Sequence, residues 1–546
     1  MPAFSMDGFA LRLHILGLLG YSSGSLKPVP AIFTLVQAAI VLIHSEASSS
    51  SPKVKNWYAP AAIALFVVAF ALYADLSRIN LDRHGDMVEN YAWGMLWQWG
   101  NAKHPPFFGW VTAVWFSVFE RGSGTYYLLS AVSSGLTLLA IWRIALRYGD
   151  QSLALLAVLV AMMLPPMTFL AIKYNASSAM TPIWAAAFLF YLRGLEKRKL
   201  YDAVILGALA GAAMLTKYHS AVLLGALFLH ALFDKDARPV LFSAFGFVTA
   251  VTFFATVAGH ILWLIRNDFL PITYAAEQGG GGLADVAEYA LSFLASIPLY
   301  ILPGAALLLL INTRVTDARP ILSRIKPEGL LRTVEGRALL SFAILPTILT
   351  LILGIGVQAE ISSVWALPFY TPFAVLLALL VPEGLRRTQF RKPLFFVASF
   401  FALLLALTPF LRDYASRLDV SNAMAPLEEL VAQVDEMWAT HGGRTPAPAL
   451  VGERVFVNAA AFYSRFDPYV IMENNLVHVK DYASLDTIRA SGTIGICRND
   501  GATWCAAQVQ ALLPTGTQPQ SITIKGTDGT SDWPFLIWIV PAQPAN

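Results

Sequence analysis

Long apolar runs alternate with short polar ones along most of the chain. A bilayer core of about 30 Å takes about 20 apolar residues as a helix. Runs near 58–77, 125–142, 152–172, 178–193, 201–216, 219–233, 239–264, 289–311, 338–357, 363–381 and 394–411 predict eleven membrane spans. The division of 201–233 into two short spans, meeting at Lys217-Tyr218-His219, is the least marked of these boundaries. After residue 411 the pattern changes. Residues 424–438 have helical periodicity, and 454–458, 468–472, 493–497, 521–525 and 535–540 read as strands separated by Gly, Asn and Asp. The expected fold is therefore a polytopic α-helical membrane body over 58–411 and a soluble α/β domain over 412–546. Residues 1–57 form an N-terminal segment, interfacial or cytoplasmic, because its apolar stretch 28–44 is short and holds two prolines.

Composition agrees with lipid as the solvent. Charged residues are 13%, hydrophobic residues 56% and mean hydropathy is +0.58. A soluble enzyme, a disordered chain and a nucleic-acid binder are excluded, because too much apolar surface would face water. The net charge of +3 is unevenly spread: residues 411–546 carry 14 acids and 9 bases. With residue 57 inside and the spans alternating, the inside loops and the flanking Arg193 hold twenty Lys and Arg and the outside loops seven. That bias orients the body and puts the acidic tail outside. The localisation it predicts is multi-pass, in the bacterial inner membrane, with a periplasmic C-terminal domain.

Few ionisable groups fall within the spans, so the chemistry is expected at the outer interface. The longest outer loop, 78–124, carries Asp82, Asp86 and Glu89 and the tryptophans 93, 97, 99, 110 and 115. Asp86, Asn90, Trp93 and Trp97 fall on one helical face. Two roles stay open for Asp86. With Glu89 three residues on, it has the spacing of a capping box; facing a cleft, it could take a proton from a hydroxyl. The outer cations Lys103, Lys173, Lys217 and Arg266 also have two readings. They snorkel to headgroups, or they gather to hold a phosphate. His104-Pro105-Pro106 is consistent with a plain helix start. Cys497 and Cys505 lie eight apart around Gly501. They pair in an oxidising compartment, or stay as buried thiols.

The segment GDMVENYAWG…KHPPF, with Asp86, Tyr91 and Pro105-Pro106 in that order, resembles the first extracytoplasmic loop of the GT-C glycosyltransferases of the protein O-mannosyltransferase and aminoarabinose-transferase superfamily. It looks most like bacterial members such as the rhizobial lipopolysaccharide galacturonosyltransferases. The resemblance covers about residues 57–411. It implies inverting transfer of a sugar from a polyprenyl-phosphate donor to a lipid, glycan or protein acceptor of the envelope, with Asp86 as catalytic base. By the same resemblance Lys217 faces the cavity, Glu277 matches a loop glutamate, and Trp365 stands where a tyrosine often contacts phosphate. Lys103-His104 replaces the family's glutamate–lysine, so the metal-binding glutamate is absent; no cofactor is assigned, and a divalent metal stays open without support from the motif. Glu89, Tyr91, Lys103, His104, Lys173, Arg266, Glu277 and Trp365 join Lys217 as candidate substrate-binding residues. The main rival, a transporter of an envelope solute or lipid, predicts polar residues at the midplane and repeated halves; the sequence has neither feature.

Overall fold

The computed structural model describes residues 54–82, 84–277, 282–311, 327–417, 424–442, 448–501 and 503–542. Most of the N-terminal segment 1–57 lies outside the described residues. The principal helices of the body are α1 (Tyr58–Leu76), α2 (Asp86–Met95), α3 (Phe107–Phe116), α4 (Ser123–Ala145), α5 (Gln151–Met163), α6 (Ala176–Lys197), α7 (Leu200–Thr216), α8 (Ala221–Phe233), α9 (Ala244–Arg266), α10 (Leu283–Leu308), α11 (Val334–Gly356), α12 (Tyr370–Leu379) and α13 (Arg391–Arg417). Each expected span coincides with a helix or a bent pair of helices. Among the described residues six helices, namely α1, α4, α9, α10, α11 and α13, are long and apolar enough to cross a bilayer alone, and eight spans result if each of two bent pairs counts as one, against the eleven expected. This is a multi-pass membrane protein.

One stretch read as a continuous span, 152–172, is broken: helix α5 turns by 86° into Pro165–Ala171. A second bend, of 95°, falls at the expected end of the span 363–381, where Ser363–Leu379 turns into Glu383–Gln389. Prolines explain both breaks. Pro165 and Pro166, and then Pro382, stand at the bends, where they remove backbone donors and clash with the preceding turn. Between α7 and α8 the backbone of Lys217 is extended, with φ −159° and ψ 134°, so these are two short helices and not one. Helix α5 lies at the centre. Leu153 through Met162 are all buried, as its apolar character on every side requires.

The tail is a five-stranded sheet of β1 (Ala449–Gly452), β2 (Tyr469–Val470), β3 (Thr493–Arg498), β4 (Gln520–Lys525) and β5 (Asp532–Val540), in the order β2-β1-β3-β5-β4. The pairs β1–β2 and β1–β3 are parallel, and β3–β5 and β4–β5 antiparallel. Helix α14 (Leu427–Met437) falls where the periodicity predicts it. The strand expected over 454–458 is instead the start of helix α15 (Arg454–Tyr463), and the strand lies just before it, at β1. The run Val455-Phe456-Val457 reads as β by propensity, but Ala459-Ala460-Ala461 continues it as a helix. Phe456 then packs on Phe535, their ring centres 5.0 Å apart. Tertiary packing decides such short apolar runs. The strand expected over 468–472 shortens to β2. Cys497 on β3 is joined to Cys505 at the start of the helix Trp504–Leu512, with Cα atoms 5.9 Å apart.

The tail docks on α2 through α15. Phe462 is fully buried among Tyr91, Phe116 and Tyr126, with ring centres 5.1, 5.3 and 5.5 Å away. Asn80 and Lys480 add hydrogen bonds across the seam, to the carbonyls of Ala425 and Arg266. Helices α2 and α3 cross closely at Gly94 and Gly109. A Cβ on Gly94 would meet the Gly109 carbonyl oxygen at 2.1 Å, so only glycine allows this approach.

Candidate active site

Helix α2 starts on a glycine. Gly85 has φ +73°, a left-handed conformation that lets the chain double back. The Asp82 carboxylate then accepts from the backbone N–H groups of His84 (3.0 Å), Asp86 (3.1 Å) and Met87 (2.9 Å). Asp82 therefore does the capping that the Asp86–Glu89 spacing suggested. Asp86 is the first helical residue and makes no side-chain cap.

The Asp86 carboxylate instead meets Lys173 Nζ at 2.5 Å. Lys173 stands just before α6, past the bend at Pro165-Pro166. Partial burial raises the Asp86 pKa. The charge and hydrogen bond of Lys173 outweigh this, helped by Arg454 and His84, and hold it below the ordinary carboxylate value. Asp86 is ionised at neutral pH. Lys217 ends α7, donates to Ser177 Oγ at 2.9 Å, and places its ammonium 5.2 Å from the centre of the Trp365 ring. Burial pushes its pKa down to about 8, against the pull of the nearby Asp86.

Glu89 lies one turn further along α2, with a side chain only 11% exposed. One oxygen accepts from Lys103 Nζ at 3.0 Å and the other from Arg454 at 3.0 Å. Arg454 also donates to the His84 carbonyl. Lys103 reaches a second carboxylate, Glu473 of the tail, at 3.4 Å. His104 is held by Asn101, and its ring meets Trp93 and Phe108 edge-on. Burial first, then Lys217 and Lys103, push its pKa down to about 3. A histidine in this place is neutral and supplies no charge to a phosphate.

The structure thus brings Asp86, Glu89, Lys103, His104, Lys173, Lys217 and Trp365 to the face of the body that bears the tail. Two expected members are elsewhere. Tyr91 points to the opposite side of α2, into the aromatic seam, where Arg121 approaches its hydroxyl at 3.4 Å. The reason is its spacing: five residues after Asp86 is well over a quarter turn away on a helix. Arg266 has an exposed side chain at the end of α9. Glu277 ends the short helix Leu270–Glu277, and its side chain lies outside the described residues. Sequence reasoning missed Asp82 as the cap and Arg454 and Glu473 as partners. Arg454 is 365 positions from Glu89, and no local spacing signals such a pair. Among the described residues no three His, Cys, Asp or Glu side chains converge as a metal site would require. The carboxylate of Glu89 is paired with Lys103 and Arg454, and that of Glu473 with Lys103.

A sequence-family model described as dolichyl-phosphate-mannose-protein mannosyltransferase matches residues 103–263, which include Lys103, Lys173 and Lys217. No curated protein sequence matches the chain. Among solved structures, ArnT from Cupriavidus metallidurans bound to undecaprenyl phosphate aligns over 88% of this chain and 98% of its own, with 13% identity and a TM-score of 0.57. The chain has the GT-C glycosyltransferase fold. The apo form of the same ArnT aligns over 88% of this chain and 97% of its own, at 12% identity and a TM-score of 0.57. Within this fold Asp86 opens α2, Lys103 lies between α2 and α3, Lys173 precedes α6 and Lys217 ends α7.

Proposed function

We propose that the chain is an integral-membrane glycosyltransferase that moves a sugar from a polyprenyl-phosphate donor to a hydroxyl of an envelope lipid or glycan, on the periplasmic face of the bacterial inner membrane. The observation that carries this reading is the Asp86–Lys173 pair, with Lys217 near enough to feel the Asp86 charge. A fold shared with an ArnT bound to undecaprenyl phosphate supports the choice of donor.

The reaction follows from the charges. The acceptor oxygen attacks the anomeric carbon, the bond from that carbon to the phosphate oxygen breaks, and the acceptor proton goes to Asp86. A single displacement inverts the anomeric centre. The leaving polyprenyl phosphate gains negative charge, which Lys173, Lys217 and Lys103 stabilise because they are already in place. The pairing of Asp86 with Lys173 gives a reason for the order of events. A phosphate that draws Lys173 to itself releases the Asp86 carboxylate and restores its affinity for a proton. Trp365 fixes the Lys217 ammonium, and Glu89 fixes Lys103.

The test is sugar transfer from a polyprenyl-phosphate donor by purified protein. Asp86 caps nothing, so Asp86→Asn should fold normally. As the base, its loss costs on the order of 100-fold or more in turnover. Near-normal turnover by the well-folded variant, with a hydroxyl acceptor, would remove Asp86 from the mechanism.

A further inference from the structure

The tail carries a strained acidic residue into the site. Glu473 and Asn474 both have φ +54°, a left-handed conformation that side chains rarely adopt. Two such residues in a row persist only where their surroundings hold them. Here the Asn474 amide does so: its oxygen accepts from the Gly452 N–H at 2.7 Å, and its nitrogen donates to the Gly452 carbonyl at 3.1 Å and to Gln508 at 3.0 Å. The result is a carboxylate aimed across the seam. One Glu473 oxygen lies 3.4 Å from Lys103 Nζ and the other 3.1 Å from His478 Nδ1.

We infer that Glu473 is a positioning residue that acts through Lys103, holding this ammonium in the donor-free protein until the donor phosphate takes its place. The inference rests on the donor reading above. Lys103 has two carboxylate partners of unequal strength. Glu89 is nearer, largely buried and fixed by Arg454; Glu473 is farther and its side chain is 37% exposed. An incoming phosphate displaces the weaker one. The charged or titratable groups facing Glu473 are Lys103 and His478, with Glu89 and Arg454 beyond, so removing its charge leaves the pocket more positive. The tail therefore sets how tightly the body binds an anionic lipid.

The experiment measures equilibrium binding of decaprenyl phosphate to the full-length protein in detergent. Glu473→Gln should bind about two- to fivefold more tightly, the upper part of the range of a partly exposed ion pair. Glu473→Asp keeps the charge and should stay near the parent. Asp467→Asn, which alters the exposed Arg121–Asp467 pair instead, should change nothing. A purely structural latch predicts the opposite for Glu473→Gln, namely unchanged or weaker binding with a lower melting temperature, and that result overturns the inference. Failure of the parent protein to bind decaprenyl phosphate overturns the donor reading and the inference together.

Discussion

Glu89→Gln keeps the shape of the side chain and removes one charge. Its effect can be ranked from burial. The Lys103 arm joins side chains 15% and 11% exposed at 3.0 Å, so little water replaces the lost attraction. A hydrogen bond to a charged group is worth about 1.5–3 kcal/mol. The Arg454 arm has the same length, but Arg454 is 41% exposed. Such pairs are worth at most about 1 kcal/mol. A loss of about 2 kcal/mol at the Lys103 arm corresponds to an increase of about thirtyfold in local opening. The assay is amide hydrogen exchange on the intact protein in detergent. Protection over the start of α2 and over 101–104 should fall by about ten- to thirtyfold, while that of α15 falls less than about fivefold. The donor KM should rise as well, because Lys103 loses its anchor. Greater loosening of α15 than of 101–104 would show that the ranking by burial is wrong. Unchanged exchange in both would show that the pair contributes nothing.

Two further outcomes are expected. Lys217 has a pKa of about 8, below the ordinary lysine value, so it is charged below that pH and neutral above it. Since kcat/KM reports the free enzyme, it should fall as pH rises through about 8, and Lys217→Arg should carry the limb beyond pH 9.5. A flat parent profile to that pH would refute the assignment. Phe462→Ala empties a fully buried aromatic site between tail and body. It should cost about 3–5 kcal/mol, read as early proteolytic release of the tail, and a parent-like cleavage rate would show that Phe462 does not hold the seam.

Much of the architecture was legible because the length of an apolar run is itself the physical quantity that decides a span. The parity of those spans also put Lys103, Lys173 and Lys217 on one side before any contact was known. The local chemistry was less legible. Asp86 and Glu89 have capping-box spacing, but the left-handed Gly85 lets Asp82 reach three N–H groups, so the spacing misdirects. Tyr91 follows a motif, yet its angle around α2 sends it to Phe462. Arg454 and Glu473 reach the site from the tail, hundreds of positions from Glu89 and Lys103. A strand read over 454–458 would have put Arg454 on a different element altogether.

The charges of the site share one structural origin, the interruptions of the helices. Lys103 lies between α2 and α3, Lys173 after the bend at Pro165-Pro166, Lys217 between α7 and α8, and Trp365 in the 3-10 segment Ser363–Phe369. Irregular backbone at membrane depth is tolerated where it lines a polar cavity, and each break here delivers a side chain to the same face. The helix ends suit the charges they carry. Asp86 is at the N-terminus of α2 and Lys217 at the C-terminus of α7, the ends whose partial charges favour an anion and a cation respectively. Asp86 is thus held ionised before any substrate arrives, and the α7 terminus opposes the burial that draws the Lys217 pKa down. What the body leaves open is the balance of charge around Lys103. That balance is completed from the other side, by Glu473 of the tail, which gives an acidic tail a physical reason to sit over a basic site.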